Sequence, residues 1–155
     1  YSTIGKGGLK YYLLKVDPKK KMMFNPLESI DLNGNTGPFI QYCYARIQSI
    51  LTKENQLKNE VRTDLVLFPA EMDLIKWLLA YPSTIDDAAK QLSPSLIANY
   101  TFQLVKYYNS FYQSISILSE EDNELKKFRI LLSNKVAQVI KSSMGLLGIE
   151  VPSVM

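Results

Sequence analysis

Two sets of side chains in this sequence have the types and the spacing to hold a nucleic acid. Phe39, Tyr42, Arg46 and Ser49 recur every three or four residues, so on a helix they line one face. An aromatic–aromatic–Arg–hydroxyl row suits stacking on bases and pairing with phosphate. The same spacing also lets Phe39 and Tyr42 pack on a neighbouring helix while Arg46 snorkels to water, and periodicity alone favours that packing. The second set lies in Tyr107-Tyr108-Asn109-Ser110-Phe111-Tyr112. Tyr108 and Tyr112 are four apart and stack along one side of a helix, with Asn109 beside them as donor and acceptor. A slot for an unstacked base fits this pattern. So does a tyrosine-filled helix interface whose hydroxyls reach the rim.

Helices must position both sets. Thr36 or Asn35 can cap a helix that carries Pro38 in its first turn, and Gly34 and Gly37 tolerate positive φ before it. Ile40, Cys43, Ile47, Ile50 and Leu51 then form its apolar stripe. Ser93-Pro94 opens the longest element, running to about residue 118. Its stripe is Ile97, Tyr100 or Thr101, Leu104, Tyr108, Phe111, Ile115 and Leu118. A last long helix carries Leu125, Phe128, Leu132, Val136, Ile140 and Met144 and is closed by Gly145 and Gly148. Between these, Pro69 starts a helix with Glu71 and Asp73 on its dipole and Met72, Ile75, Leu78 and Leu79 inward. Trp77 is read as packed, and Pro82 as the stop. Ser83 or Thr84 caps the next helix, with Ile85, Ala88, Ala89 and Leu92 inward.

The flanking segments are weaker. Leu9, Tyr12, Leu13 and Val16 suggest a short helix ended by Asp17-Pro18. Gly5, Gly7 and Gly8 precede it, in an order that fits neither a P-loop nor a dinucleotide fingerprint. Lys19 to Lys21 read as a solvated run, with a phosphate contact as the lesser reading. Residues 25–32 read as a linker with one helical turn. Residues 52–64, with Leu57 and Val61, allow a short helix or a loop.

Composition narrows the chemistry. At 155 residues the chain can bury one sizeable core. A net charge of +3 permits nucleic-acid contact without demanding it. With no histidine, the commonest general base and metal ligand is missing. Cys43, the one cysteine, cannot form an internal disulfide and fits a reducing cytosol, so a cytoplasmic location is expected. No apolar run approaches the roughly 20 residues that span a bilayer. The chain begins at Tyr1 rather than at methionine, which suggests a piece of a longer protein. Physics alone thus gives an all-α helical bundle that binds rather than catalyses. A helical protein-interaction domain with an aromatic patch at 107–112 satisfies the same facts.

The order of residues adds a resemblance. Asn35-Thr36-Gly37-Pro38-Phe39-Ile40-Gln41-Tyr42 followed by Ala45-Arg46 resembles the start of the helical anticodon-binding domain of arginyl-tRNA synthetases, and the ending Leu146-Leu147-Gly148-Ile149 with Pro152 and Met155 is similar to how those chains finish. The likeness runs from near Leu9 to Met155. It implies a division into residues 1–33, the tail of a catalytic half and a linker, and residues 34–155, the anticodon-binding domain. It implies the arginine tRNA and the catalytic domain of the same parent chain as partners, in a monomer. The isolated piece would bind no cofactor and be inactive alone. The parent would use ATP with Mg to charge the tRNA, through His-Ile-Gly-His and Lys-Met-Ser-Lys-Ser regions that lie upstream; Lys21-Met22 is not the second of these.

The resemblance also implies site residues. A middle-position cytosine would enter a pocket lined by Tyr108 and Tyr112 and closed by Met155, with Asn109 alongside. Tyr42, Arg46 and Ser49 match loop-contacting positions. Phe39 stands for a frequent tyrosine, Tyr44 for a histidine and Thr52 for an arginine found in some members. The alternative within this class is the similar domain of another class I synthetase, against which the Asn-Thr-Gly-Pro start and the methionine ending argue.

Overall fold

The computed structural model describes residues 2–53, 62 and 64–155. Seven helices follow one another among these residues: α1 (Ser2–Leu14), α2 (Pro26–Ser29), α3 (Gly37–Lys53), α4 (Pro69–Leu79), α5 (Tyr81–Gln91), α6 (Pro94–Ser114) and α7 (Asn123–Leu146). The described residues contain no strand, so the all-α expectation holds. The short helix or loop expected around Leu57 and Val61 lies outside the described residues.

α3 and α6 form as their stripes dictate. Thr36 Oγ1 accepts the N–H of Phe39 at 3.3 Å, and Pro38 sits in the first turn, where it costs no helix bond. Ile40, Cys43, Ile47 and Ile50 are buried against Leu104, Val105 and Phe111 of α6 and Val136, Ile140 and Met144 of α7 in one core. Each fully buried Ile or Leu contributes about 1.5–3 kcal/mol. α6 packs against α3, α4, α5 and α7 and is the hub of the bundle.

α1 joins the same core through Tyr11. Its hydroxyl donates to Asn35 Oδ1 at 2.6 Å and lies 2.9 Å from the Ala98 carbonyl oxygen. Burial therefore falls on Tyr11 and Tyr12, while Leu9 and Leu13, expected inside, are exposed. The reason lies in the glycines. A Cβ at Gly37 would lie 2.6 Å from the Gly7 carbonyl oxygen, so α1 crosses α3 backbone to backbone there, and one at Gly8 would lie 2.7 Å from the carbonyl oxygen of Ser29, where α1 meets α2 as closely. Gly37 is needed for that approach and not for positive φ, which among the described glycines occurs at Gly148.

The other departures are local. Pro82 sits in the first turn of α5 and starts that helix rather than ending α4. Leu92 is the left-handed cap of α5 and is exposed, not inward. On α4, Met72 and Leu79 face solvent and the buried positions are Glu71 and Leu74. Glu71 Oε2 accepts the N–H of Phe68 at 2.7 Å, capping the helix start, while Oε1 accepts from Arg129 Nε of α7 at 2.8 Å. Trp77 packs as expected: its ring stacks on Tyr100 at 5.5 Å, and its Nε1 donates to the Tyr100 carbonyl at 3.2 Å. α6 ends at Ser114, earlier than residue 118, and Asp122 caps α7.

Gly148 closes α7 at φ +67°. The Gly148 N–H donates to Gly145 O and the Ile149 N–H to Met144 O, both at 2.9 Å, which is a Schellman ending. The chain turns there and leads the tail back to α3.

Candidate nucleic-acid interface

α3 and α6 lie side by side and bring the two predicted sets together around Arg46. The Arg46 guanidinium carbon lies 4.5 Å from the centre of the Tyr112 ring and 6.0 Å from that of Tyr42, so the cation sits over Tyr112 and within reach of a second phenol. Nη2 donates to Asn109 Oδ1, which fixes the plane of the guanidinium. Tyr42 and Tyr112 are half-exposed, and each keeps ring surface open to solvent.

A cleft of about 230 Å³ opens beside this layer, lined by Tyr42, Ala45, Arg46, Ser49, Val154 and Met155. Ser49, itself exposed, donates its hydroxyl to Ala45 O at 3.1 Å, and Met155 is exposed at the cleft wall. Tyr112 also borders a second hollow of about 420 Å³ formed by Ile115, Ser116, Ile117, Leu118 and Ser119. The arrangement offers flat rings, a fixed cation, a hydroxyl and a soft sulfur. Among the described residues no group of three or more His, Cys, Asp and Glu side chains could hold a metal.

Two expected members do not belong to this surface. Tyr108 has no exposed area. Its hydroxyl donates to Ser133 Oγ at 3.2 Å and its ring packs against Phe111. Burial pushes its phenol pKa up. The expected Tyr108–Tyr112 pairing does form, with ring centres 6.3 Å apart and planes 30° from parallel, but Tyr108 lies on the inward stripe of α6, four residues after the fully buried Leu104, and is the buried member of the pair. Phe39 turns to Phe102 of α6, with ring centres 5.7 Å apart, and packs on the core as periodicity alone suggested. Asn109 stays at the site in another role, holding Arg46 rather than facing a base directly.

Ala45 and Val154 were not anticipated. Ala45 is three residues after Tyr42 on α3, and a small side chain there leaves room for the cleft. Lys19 to Lys21 are exposed, as the solvated reading expected.

Cys43 lies behind Arg46, and burial pushes its thiol from an ordinary 9.0 up to about 12, against the opposing pull of the Arg46 charge. A thiol held neutral by folding stabilises the native state below pH 9, and this contribution is lost as pH rises toward 12. At pH 10.5 Cys43 alone should cost about 2 kcal/mol relative to pH 8. The urea midpoint is expected to fall over that interval, and Cys43 should stay inert to thiol reagents at pH 8 until urea unfolds the chain. Fast labelling of native Cys43 would contradict this.

Comparison with known proteins places the fold first. The chain superimposes on the arginyl-tRNA synthetase of Thermus thermophilus with a TM-score of 0.90 at 28% identity, covering 99% of this chain and 27% of that one. The Plasmodium falciparum arginyl-tRNA synthetase gives 0.86 at 27% identity, covering 96% and 26%. The helical arrangement is thus that of a tRNA-synthetase domain.

Residues 40–155 match the DALR anticodon binding domain, and the chain belongs to that family. It is similar to the arginine–tRNA ligase of Flavobacterium psychrophilum, 62% identical over 152 residues that make up 98% of this chain and 25% of the relative. That of Parabacteroides distasonis is 52% identical over 153 residues, 96% of this chain and 26% of the relative. The chain therefore spans about a quarter of the length of the curated relatives it matches. No helix of the described residues is long and apolar enough to cross a membrane.

Proposed function

We propose that this chain is the anticodon-binding part of an arginine–tRNA ligase, and that it takes the anticodon loop of the arginine tRNA against the Tyr42–Arg46–Tyr112 layer and the Met155 cleft. The observation that carries this reading is the Arg46 guanidinium, laid on Tyr112 and tied by Asn109 at the edge of an open cleft. A flat cation beside exposed rings serves both halves of single-strand binding: the charge meets a phosphate and the rings meet bases. Tyr42, Arg46, Ser49, Tyr112 and Met155 are the contacting residues, and Asn109 positions Arg46.

The parent enzyme would join arginine to its tRNA at the expense of ATP, with Mg, in a catalytic domain outside these residues. Leu9 and Leu13 on α1, and Phe24, Leu27 and Ile30 near α2, leave apolar side chains exposed, which supports a contact with that domain. The reading assigns residues 1–33 to this junction and 34–155 to anticodon binding, in a monomeric, cytoplasmic enzyme.

Filter binding of the 155-residue chain to arginine tRNA, beside the same tRNA with its middle anticodon base replaced, tests the proposal. Binding should weaken steeply with salt, as phosphate contacts require, and should drop on the base change. Equal affinity for both tRNAs would overturn base recognition at this cleft.

A further inference from the structure

Gln41 and Tyr42 are adjacent on α3 but face different partners. Tyr42 lines the cleft, whereas Gln41 is fully buried under α1 and the tail. Gln41 Nε2 donates to the Glu150 carbonyl at 2.7 Å and lies 3.4 Å from the Thr3 carbonyl oxygen. A Cβ at Gly7 would come within 2.5 Å of the same nitrogen, so α1 can sit on this amide because residue 7 is glycine. Next to it, Lys10 Nζ of α1 donates to the Gly148 carbonyl at 2.6 Å, and Ile149 is buried. Residues 148–150 are thus held by the α7 ending, by α1 and, at Glu150, by one buried amide of α3. Beyond them, among the described residues, no hydrogen bond holds 151–155, although Met155 forms a wall of the cleft. Val151 packs against the core, so the place of Met155 follows from how residues 148–151 are held.

We propose that Gln41 is a positioning residue which fixes the tail that carries Met155, and so couples the seating of α1 to the shape of the cleft. This rests on the reading of the cleft as the tRNA site. A buried amide suits the task. It gives directed N–H bonds to the Thr3 and Glu150 carbonyls from a side chain that is itself fully buried, so moving the tail or α1 leaves the buried amide without its partner. A shift of α1 against α3 would act on Glu150 through one side chain, with Met155 five residues further along.

The test is a double-variant cycle on the 155-residue chain. Gln41→Met keeps the volume and removes the donor; Met155→Ala removes the cleft wall. Gln41→Met is expected to raise the Kd for arginine tRNA by about three- to ten-fold in the otherwise unchanged chain, and to have almost no further effect in Met155→Ala, because the two act on one element. Carboxypeptidase should also release Met155 faster from Gln41→Met, a readout that needs no tRNA. Lys10→Met, at the exposed anchor on Gly148, keeps the test decisive if Gln41→Met fails to fold: it should act in the same direction and with the same dependence on Met155. Equal losses in both backgrounds would overturn the positioning role. So would an unchanged Kd for Gln41→Met where Met155→Ala weakens binding, and that result would leave the cleft reading standing. If Met155→Ala itself changes nothing, the cleft reading fails and this inference falls with it.

Discussion

Replacing Arg129 by methionine is expected to destabilise the fold by about 3–5 kcal/mol, the cost of leaving a buried charge without its partner. Arg129 and Glu71 are both buried, with side-chain exposures of 2% and 0%, and Nε meets Oε1 at 2.8 Å. Arg129 Nη1 also donates to the Ser116 carbonyl at 2.9 Å and to Glu120, and its guanidinium carbon lies 5.8 Å from the Phe68 ring centre. One side chain of α7 therefore holds the start of α4 and the 115–120 segment that borders Tyr112. Natural domains are stable by only about 5–15 kcal/mol, so this single loss should bring the thermal midpoint down by many degrees. Replacing both charges together, Glu71→Leu with Arg129→Met, should cost much less than Arg129→Met alone, since two apolar groups leave no stranded carboxylate. Urea titration of the three variants checks both statements. An Arg129→Met chain that unfolds at the same urea concentration as the parent would mean that Glu71 is satisfied by its cap bond to Phe68 alone.

That cluster also shows where reading the sequence stops. The stripes of α3, α6 and α7 were legible because each is written within a single helix: Ile40 to Ile50, Ile97 to Phe111 and Leu132 to Met144 repeat at helical spacing, and all are buried. Glu71 reads locally as a first-turn acid on a helix dipole. Its burial depends on an arginine 58 residues later, which no local pattern encodes. The same holds for α1, where Leu9 and Leu13 look like an inward face. Glycine-mediated approach to α3 and α2 instead turns Gly7, Gly8 and Tyr11 inward. At the site, Tyr42, Arg46 and Met155 were legible from spacing and resemblance, and they do come together. Tyr108 was assigned both to the stripe of Leu104 and Phe111 and to a base slot with Tyr112. Its ring stays on the stripe and still stacks on Tyr112 at 6.3 Å, but with no exposed area it leaves no open face for a base.

The contrast between these two tyrosines gives the second large effect. Tyr112→Ala should weaken binding to arginine tRNA by about ten-fold or more at matched salt, since a base–aromatic stack is worth about 1–3 kcal/mol. The loss has two sources: the exposed face of the ring, and the platform under the Arg46 guanidinium at 4.5 Å. Arg46→Lys separates them. It keeps the charge, and with it most of the salt dependence, but loses the flat contact with Tyr112 and the fixed bond to Asn109. Tyr108→Phe should leave tRNA affinity unchanged and lower stability by about 1 kcal/mol through the lost bond to Ser133. Binding and urea curves for the three variants, measured in one buffer, decide the matter. If Tyr112→Ala binds as the parent does, or if Tyr108→Phe weakens binding while Tyr112→Ala does not, the surface that meets the tRNA is elsewhere on the bundle and the Arg46 layer is packing.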